Sequence, residues 1–281
     1  MKSLAATDLS QLGPGPMQGI RVGIGGWTYA PWRDNFYPPG LVQRRELEYA
    51  SRNVSAIEVN GTWYGAQKPA TYAKWRDETP ENFLFSAKAP QRITMSRTLA
   101  NTGAQVDAFL GDIATLGAKL GPIVWQFEHG RRLQRDDFAA FLALRPDEIE
   151  GRKMRHVLDV RDPAFVDATF LALARAHGMA TVFTDSGEHP SFADITADFV
   201  YARLMRTQSM VATGYHDNDL QYWADRARQW ARGDDPADLP HIVAPLPPSQ
   251  TPRNVFIYFI SSAKERNPAA AMALLKKLGA A

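Results

Sequence analysis

Chemically reactive side chains recur at the carboxyl ends of apolar runs in this sequence of 281 residues. Of eight such runs, only the first and the last lack an ionisable group or an amide there. The residues concerned are Glu58, Asn60, Lys88, Gln126, Asp159, Arg161, Asp185 and Arg203. Carboxylates exchange protons, arginines hold anions, a desolvated lysine is a nucleophile, and amides orient hydroxyl groups.

Where the alternation of a strand can be read, these side chains share one face. Glu58 and Asn60 are two residues apart in AIEVN, as Asp159 and Arg161 are in VLDVR. Residues i and i+2 of a strand point to the same side, here opposite the apolar residues. Strands buried on both faces are normally continuous apolar runs, and a buried unpaired charge is costly. The pattern therefore indicates an active site at the mouth of a parallel barrel.

The segments that must position these residues are strand candidates that alternate with helix candidates. The strand candidates are RVGIGGW (21–27), AIEVNGTWY (56–64), FLFSAKAP (83–90), PIVWQFE (122–128), HVLDVRD (156–162), ATVFTD (180–185), FVYARL (199–204) and VFIYFIS (255–261). Helix-like segments cover 41–51, 70–78, 106–117, 136–144, 165–178, 220–231 and 270–279. This order predicts an α/β fold, a single (β/α)8 TIM barrel, with a doubly wound open sheet as the alternative.

The domain organisation predicted is a leader over 1–18 and one barrel domain over 19–281. Two segments read as insertions: 205–218 at the mouth, and the proline-rich stretch 233–254 on the opposite face. The pattern from Ser191 to Asp194 predicts a capping box that opens a short helix after the sixth strand.

The composition excludes several classes of protein and site. Lys and Arg number 32 against 30 Asp and Glu, so bulk charge gives nucleic-acid binding no support. The absence of cysteine excludes disulfides and thiolate chemistry. No run approaches the roughly 20 apolar residues of a membrane helix, and the start of the chain does not resemble a signal peptide. We expect a cytoplasmic protein without a membrane partner. Nucleotide-cofactor motifs are missing, so no cofactor is predicted.

Six motifs together resemble the YecE-like proteins, the family known as domain of unknown function 72. They are GIGGWTYAPWRDNFYP (23–38), IEVNGTWYG (57–65), FSAKAPQRIT (85–94), LGAKLGPIVWQF (116–127), YHDNDLQYWA (215–224) and YFISSAKERNPAAA (258–271). The resemblance extends over about 20–279 and implies a (β/α)8 barrel. It implies no established reaction.

The sequence departs from this family's usual pattern at three strand ends. A Glu-x-Arg-His run and a following Trp are replaced by Asp159-Val-Arg161-Asp162 and Phe165. A His-Gly pair after the seventh strand is replaced by Met205-Arg206. Asparagines after the eighth strand are replaced by Ile260-Ser261-Ser262. The resemblance thus implies that the arginine is retained, with Asp159 in place of the glutamate, and that the histidines are not.

Each residue of the predicted site is given a role. Glu58, Lys88, Asp159 and Asp185 are the predicted catalytic residues, as proton-exchanging carboxylates and as an amine that stabilises an oxyanion or attacks a carbon atom. Trp27, Asn60, Tyr64, Gln126, Arg161 and Arg203 are the predicted substrate-binding residues. In the alternative interpretation, three acids and three bases pair with one another and serve only the structure.

No metal site is predicted. None of the six histidines forms an HxH or HExxH pattern, although His129, His189 and His216 follow strands and are placed to reach the mouth. Binding of Mg²⁺ or Mn²⁺ by the oxygen atoms of Glu58, Asp159 and Asp185 is the weaker alternative.

The function predicted first is an enzyme that performs proton transfer or hydrolysis on a small polar substrate, sugar-like or anionic. The second is a nucleic-acid-binding protein with repair-like phosphodiester chemistry. For it, a basic rim is available in Arg92, Arg97, Arg131, Arg132 and Arg206. A non-catalytic ligand sensor is the third. The oligomeric state is left open.

Overall fold

Eight parallel strands close into a barrel in the computed structural model, which describes residues 19–130, 133–249 and 251–279. The strands are β1 (Ile20–Gly25), β2 (Ala56–Val59), β3 (Leu84–Lys88), β4 (Leu120–Phe127), β5 (His156–Val160), β6 (Ala180–Thr184), β7 (Phe199–Leu204) and β8 (Asn254–Phe259). Each strand pairs with the next along the chain, and β8 pairs with β1. The predicted TIM barrel is confirmed, and the open sheet is wrong. The predicted leader and the pair Arg131 and Arg132 lie outside the described residues.

Helices surround the barrel and cover its outer face. They are α1 (Glu46–Asn53), α2 (Pro69–Glu78), α3 (Gln91–Thr94), α4 (Gly103–Ile113), α5 (Arg135–Leu142), α6 (Ala168–Ala176), α7 (Asp217–Arg232) and α8 (Asn267–Leu278). All seven predicted segments contain a helix, whereas the single turn of α3 was not predicted. Nor was a hairpin of two-residue strands, Glu148–Ile149 and Arg152–Lys153, which are too short to show alternation. None of the described helices is long and apolar enough to cross a membrane.

Large aromatic side chains fill the inside of the barrel below the mouth. Tyr201 and Tyr258 are fully buried there, with ring centroids 5.1 Å apart, and the Tyr258 hydroxyl lies 2.7 Å from Ser86 Oγ. Gly23 makes room for this packing. A Cβ atom at Gly23 would lie 2.2 Å from the carbonyl oxygen of Ala56 and 2.9 Å from the Tyr258 ring. The closed layer of rings forms a floor for the polar residues above it.

The helix predicted after the sixth strand is absent: residues 185–198 form a loop between β6 and β7. The pattern that suggested a capping box makes tertiary contacts instead. Ser191 donates a hydrogen bond to the Thr184 carbonyl oxygen at 2.5 Å. The buried carboxylate of Asp194 accepts from the backbone N–H groups of Ile242 and Val243 at 2.8 and 3.1 Å. Short polar side chains satisfy such remote backbone donors as readily as the end of a helix.

Asp194 should therefore anchor the proline-rich insertion to the barrel. Asp194→Ala leaves two backbone donors without their acceptor, and we expect it to lower the free energy of unfolding by about 3 kcal/mol. Asp198→Ala is the matched control, because its exposed ion pair with Lys153 should contribute less than about 1 kcal/mol. Urea unfolding of both variants gives the comparison. Equal losses would contradict the anchoring role.

Candidate active site

The guanidinium of Arg203 lies at the centre of the mouth and joins three strands. Arg203 projects inward from β7, with only 2 % of its surface exposed. Its Nε and Nη2 donate to the two carboxylate oxygens of Glu58 on β2, at 2.9 and 3.1 Å. Its Nη1 donates to Asp159 Oδ2 on β5 at 2.5 Å. The Tyr201 hydroxyl donates to Glu58 as well, at 2.6 Å. Arg203 therefore holds two buried carboxylates in a fixed arrangement across the barrel.

The charged groups of this cluster shift one another's pKa values. Burial alone would lower the pKa of Arg203, but Glu58 and Asp159 outweigh it and raise that pKa above its ordinary value. Burial would raise the pKa of Asp159, but the positive charges of Arg203 and Arg161 outweigh this effect. The pKa of Asp159 is therefore lowered. Burial and the nearby Glu58 carboxylate raise the pKa of Tyr201. Arg203 and Asp159 therefore stay charged around neutral pH, and Tyr201 stays protonated.

Arg161 extends the cluster towards solvent. It donates to Gln126 Oε1 at 3.1 Å and to Asp159 Oδ2 at 3.4 Å, and its Nη1 lies 3.6 Å from the half-exposed Glu128. Gln126 in turn donates to Glu128. Five predicted site residues thus lie in one continuous network: Glu58, Gln126, Asp159, Arg161 and Arg203.

Lys88 belongs to the same mouth but not to the network. Its ammonium group lies 5.6 Å from the centre of the Trp63 ring. Among the described residues, its Nζ has no hydrogen-bond or ion-pair partner. Burial is the main cause that lowers its pKa to about 8; the positive charge of Arg203 adds to the effect, against the opposing fields of Glu58 and Asp159.

Asp185 lies apart from these residues. Thr184, not Asp185, is the residue of β6 that pairs with Arg203 and continues the inward face, so Asp185 turns the other way. Its Oδ1 accepts from the backbone N–H of Met205, and its Oδ2 accepts from the Tyr215 hydroxyl, each at 2.6 Å. It faces a cleft of about 660 Å³ between the loops that follow β6, β7 and β8. Burial raises its pKa.

The three remaining predicted binding residues lie in three different environments. Trp27 packs edge-on against Trp75 of α2, with ring centroids 5.0 Å apart, in the layer between barrel and helices. Asn60 donates to the Glu58 carbonyl oxygen at 3.4 Å. Tyr64 is 81 % exposed on the rim.

No role was predicted from the sequence for Tyr201, Tyr258 or His189, which lie in or near the network. Tyr201 and Tyr258 share the inward parity of Arg203 but read as ordinary apolar strand positions. His189, named only as able to reach the mouth, lines a small cavity with Asp159, Arg161 and Arg203. Burial and the nearby Arg161 lower the pKa of His189.

Within the described residues, no group of three or more His, Cys, Asp or Glu side chains is arranged to hold a metal ion. Of the three carboxylates considered as oxygen ligands, Glu58 and Asp159 are engaged by Arg203, and Asp185 lies in the separate cleft.

Comparisons with known proteins place this geometry in a family. UPF0759 protein YunF of Bacillus subtilis is 33 % identical over 75 residues, which are 27 % of this chain and 26 % of that protein. UPF0759 protein YecE of Escherichia coli K12 is 28 % identical over 102 residues, or 36 % of this chain and 35 % of that protein. These alignments therefore span about a quarter to a third of the curated relatives.

Two solved structures share the fold. A DUF72 family protein of Thermotoga maritima superposes with a TM-score of 0.67 at 16 % identity, over 92 % of this chain and 98 % of that one. A DUF72 family protein of Enterococcus faecalis gives 0.65 at 16 % identity, over 92 % and 96 %. The family described as "Protein of unknown function DUF72" matches residues 21–281. The chain therefore belongs to the DUF72 family, confirming the resemblance of its motifs.

Proposed function

We propose that this protein is an enzyme that performs acid/base chemistry on a small, polar, anionic substrate at the barrel mouth, with Lys88 as the reacting group. The observation that carries the proposal is the state of the Lys88 amine: it is half-buried, without a hydrogen-bond or ion-pair partner among the described residues, and its pKa is lowered to about 8. At pH 7 roughly one such amine in ten is neutral, against roughly one in three thousand at a pKa of 10.5. The neutral form accepts a proton or attacks a carbonyl carbon.

The charge balance of the mouth supports an anionic substrate. The buried carboxylates Glu58 and Asp159 are matched by Arg203 and Arg161, and Asp185 is not part of this cluster. Lys88 is therefore a third positive charge inside the mouth, and Glu128 lies farther out, against Arg161, with 38 % of its side chain exposed. An anionic group beside Lys88 would supply the missing negative charge.

The other polar residues are assigned supporting roles. Glu58 is fully buried and accepts hydrogen bonds from Arg203 and Tyr201, so we assign it the positioning of Arg203 rather than contact with substrate. Arg161, with 16 % of its side chain exposed, is the arginine that reaches substrate. Its guanidinium is suited to a carboxylate or phosphate.

Nucleic-acid binding remains the second prediction. Tyr64 and Arg97 are exposed in the loops after β2 and α3, and Arg92 is exposed on α3, which suits stacking and phosphate contacts. The mixed charge of the mouth gives this alternative less support than the small substrate.

Burial of Lys88 with a lowered pKa should reduce the free energy of unfolding. Between pH 8 and pH 10.5 the unfolded chain binds a proton at Lys88 more tightly than the folded protein does, so stability should rise with pH in that window. We expect Lys88→Met to be more stable than the wild type at pH 7, and the difference to shrink by about 3 kcal/mol by pH 10.5. Urea unfolding across this range measures it.

Lys74→Met controls for the change of side-chain type at an exposed position. The same pH trend in both variants would contradict the assignment of this cost to Lys88.

Binding of small anions should be coupled to protonation of Lys88. The ligands tested are acetate, pyruvate, glyoxylate and inorganic phosphate. Isothermal titration calorimetry at pH 8.5 in two buffers of different ionisation enthalpy counts the protons that the protein takes up when each one binds. For those that bind, we expect an uptake of roughly half a proton or more, because the anion restores the ammonium form. Lys88→Met should show none, and Lys68→Met, on the exposed side of the same mouth, should match the wild type.

Absence of Lys88-dependent binding by every anion would sink the proposal. Binding only of a single-stranded oligonucleotide, weakening steeply with salt, would favour the second prediction instead. For pyruvate and glyoxylate, borohydride tests for attack by the amine. The amine adds to the carbonyl, water leaves, and hydride reduces the iminium to a stable amine linked to Lys88.

A further inference from the structure

The cleft that contains Asp185 has the size and wall chemistry of a second ligand subsite. Its volume of about 660 Å³ lies within the usual range for small-molecule sites. It opens at the carboxyl ends of β6, β7 and β8, the face on which barrel enzymes bind substrates. Its wall includes Asp185, Arg206, Tyr215, Trp223, Ser261 and Ser262.

The acceptors of this cleft are fixed in place before any ligand binds. Met205 and Tyr215 each donate to a different oxygen of Asp185. A carboxylate accepts about four hydrogen bonds, so roughly two acceptor positions remain for a ligand. Tyr215 is itself only 4 % exposed and accepts from the backbone N–H of Arg206 at 2.7 Å. Asp185 therefore cannot rotate without breaking two hydrogen bonds.

The charges facing the cleft select against a second anionic group. Asp185, Glu188 and Asp219 line it against the single guanidinium of Arg206. Serine hydroxyls such as that of Ser261, together with the carboxylates, offer donors and acceptors for ligand hydroxyl groups, and the Trp223 ring offers an apolar face. This combination suits a neutral, polyhydroxylated body such as that of a sugar.

Met205 connects the two regions. It lines the Asp185 cleft and also the small cavity beside Asp159, Arg161 and Arg203. A ligand that crosses Met205 would therefore contact hydroxyl-binding groups at one end and the positively charged mouth at the other.

We infer that the cleft binds the polyhydroxylated body of a substrate whose single anionic end lies at the Lys88 mouth, that is, a sugar acid or sugar phosphate. The inference rests on the function proposed above for Lys88. Two weak contacts joined in one molecule bind more tightly than either alone, because the second contact is then intramolecular.

Matched ligands test this directly. Calorimetry compares acetate, the neutral sugars glucose and galactose, and the corresponding uronates; glycerol and glycerol 3-phosphate form a phosphate pair. In at least one pair, the anionic sugar or polyol should bind at least tenfold more tightly than its neutral partner and than acetate or phosphate alone. Asp185→Asn should remove most of that gain in affinity and leave the affinity for acetate unchanged. Ser261→Ala, on the exposed edge of the cleft, should reduce the gain severalfold and keeps the test valid if Asp185→Asn does not fold.

The two proposals fail in different ways. If acetate binds through Lys88 but no hydroxylated body adds affinity, or if the gain survives both cleft variants, the cleft inference is overturned and the proposed function stands. If neutral sugars bind and depend on Asp185, while no anion binds and Lys88→Met has no effect, the cleft remains a sugar site and the function proposed for Lys88 is overturned.

Discussion

The contact between Arg203 and the carboxylates of Glu58 and Asp159 is the interaction on which the mouth of this barrel depends. Three strands contribute to it, and every atom involved is largely withdrawn from water. Such a cluster is a poor source of stability, because apolar residues of similar volume often serve as well or better. Removal of one partner, in contrast, leaves a buried charge without compensation. The cluster therefore fixes geometry and charge at the mouth more than it strengthens the fold.

The geometry fixed by Arg203 determines what Lys88 can do. With both carboxylates committed to arginine, none is left to form an ion pair with the amine, and burial then favours its neutral form. The same arrangement separates two chemical environments at one end of the barrel. On the Lys88 side, the two buried carboxylates are matched by arginines and the amine has no ion-pair partner among the described residues, while the Asp185 cleft has an excess of carboxylates. Met205, Arg206, Ser261 and Ser262 all line the cleft.

The period-two pattern of the strands was sufficient to predict the barrel and most of the mouth. The alternation that placed Glu58, Asp159 and Arg203 on one face is a local property, and a closed parallel barrel brings the ends of all its strands together. The pattern failed at Asp185, because the residue lies one position beyond Thr184, and a shift of one residue reverses the face. The capping-box pattern of Ser191–Asp194 failed as well, because the partners of Asp194 lie about fifty residues away, in the proline-rich segment. A local sequence pattern cannot reveal partners so far away along the chain. Which charges pair with one another likewise depends on distances across the barrel, as for Arg203 with Glu58 and Asp159.

Direct titration of the Lys88 amine tests the central claim of this account. Reductive ¹³C-dimethylation followed by NMR titration, with Lys88→Met used to assign the resonance, reports the protonation of that one side chain. We expect a midpoint near pH 8, moving upwards when a bound small anion supplies the missing negative charge. A midpoint near 10.5 that does not respond to anions would show an ordinary, compensated lysine and would contradict the assignment of Lys88 as the reacting group.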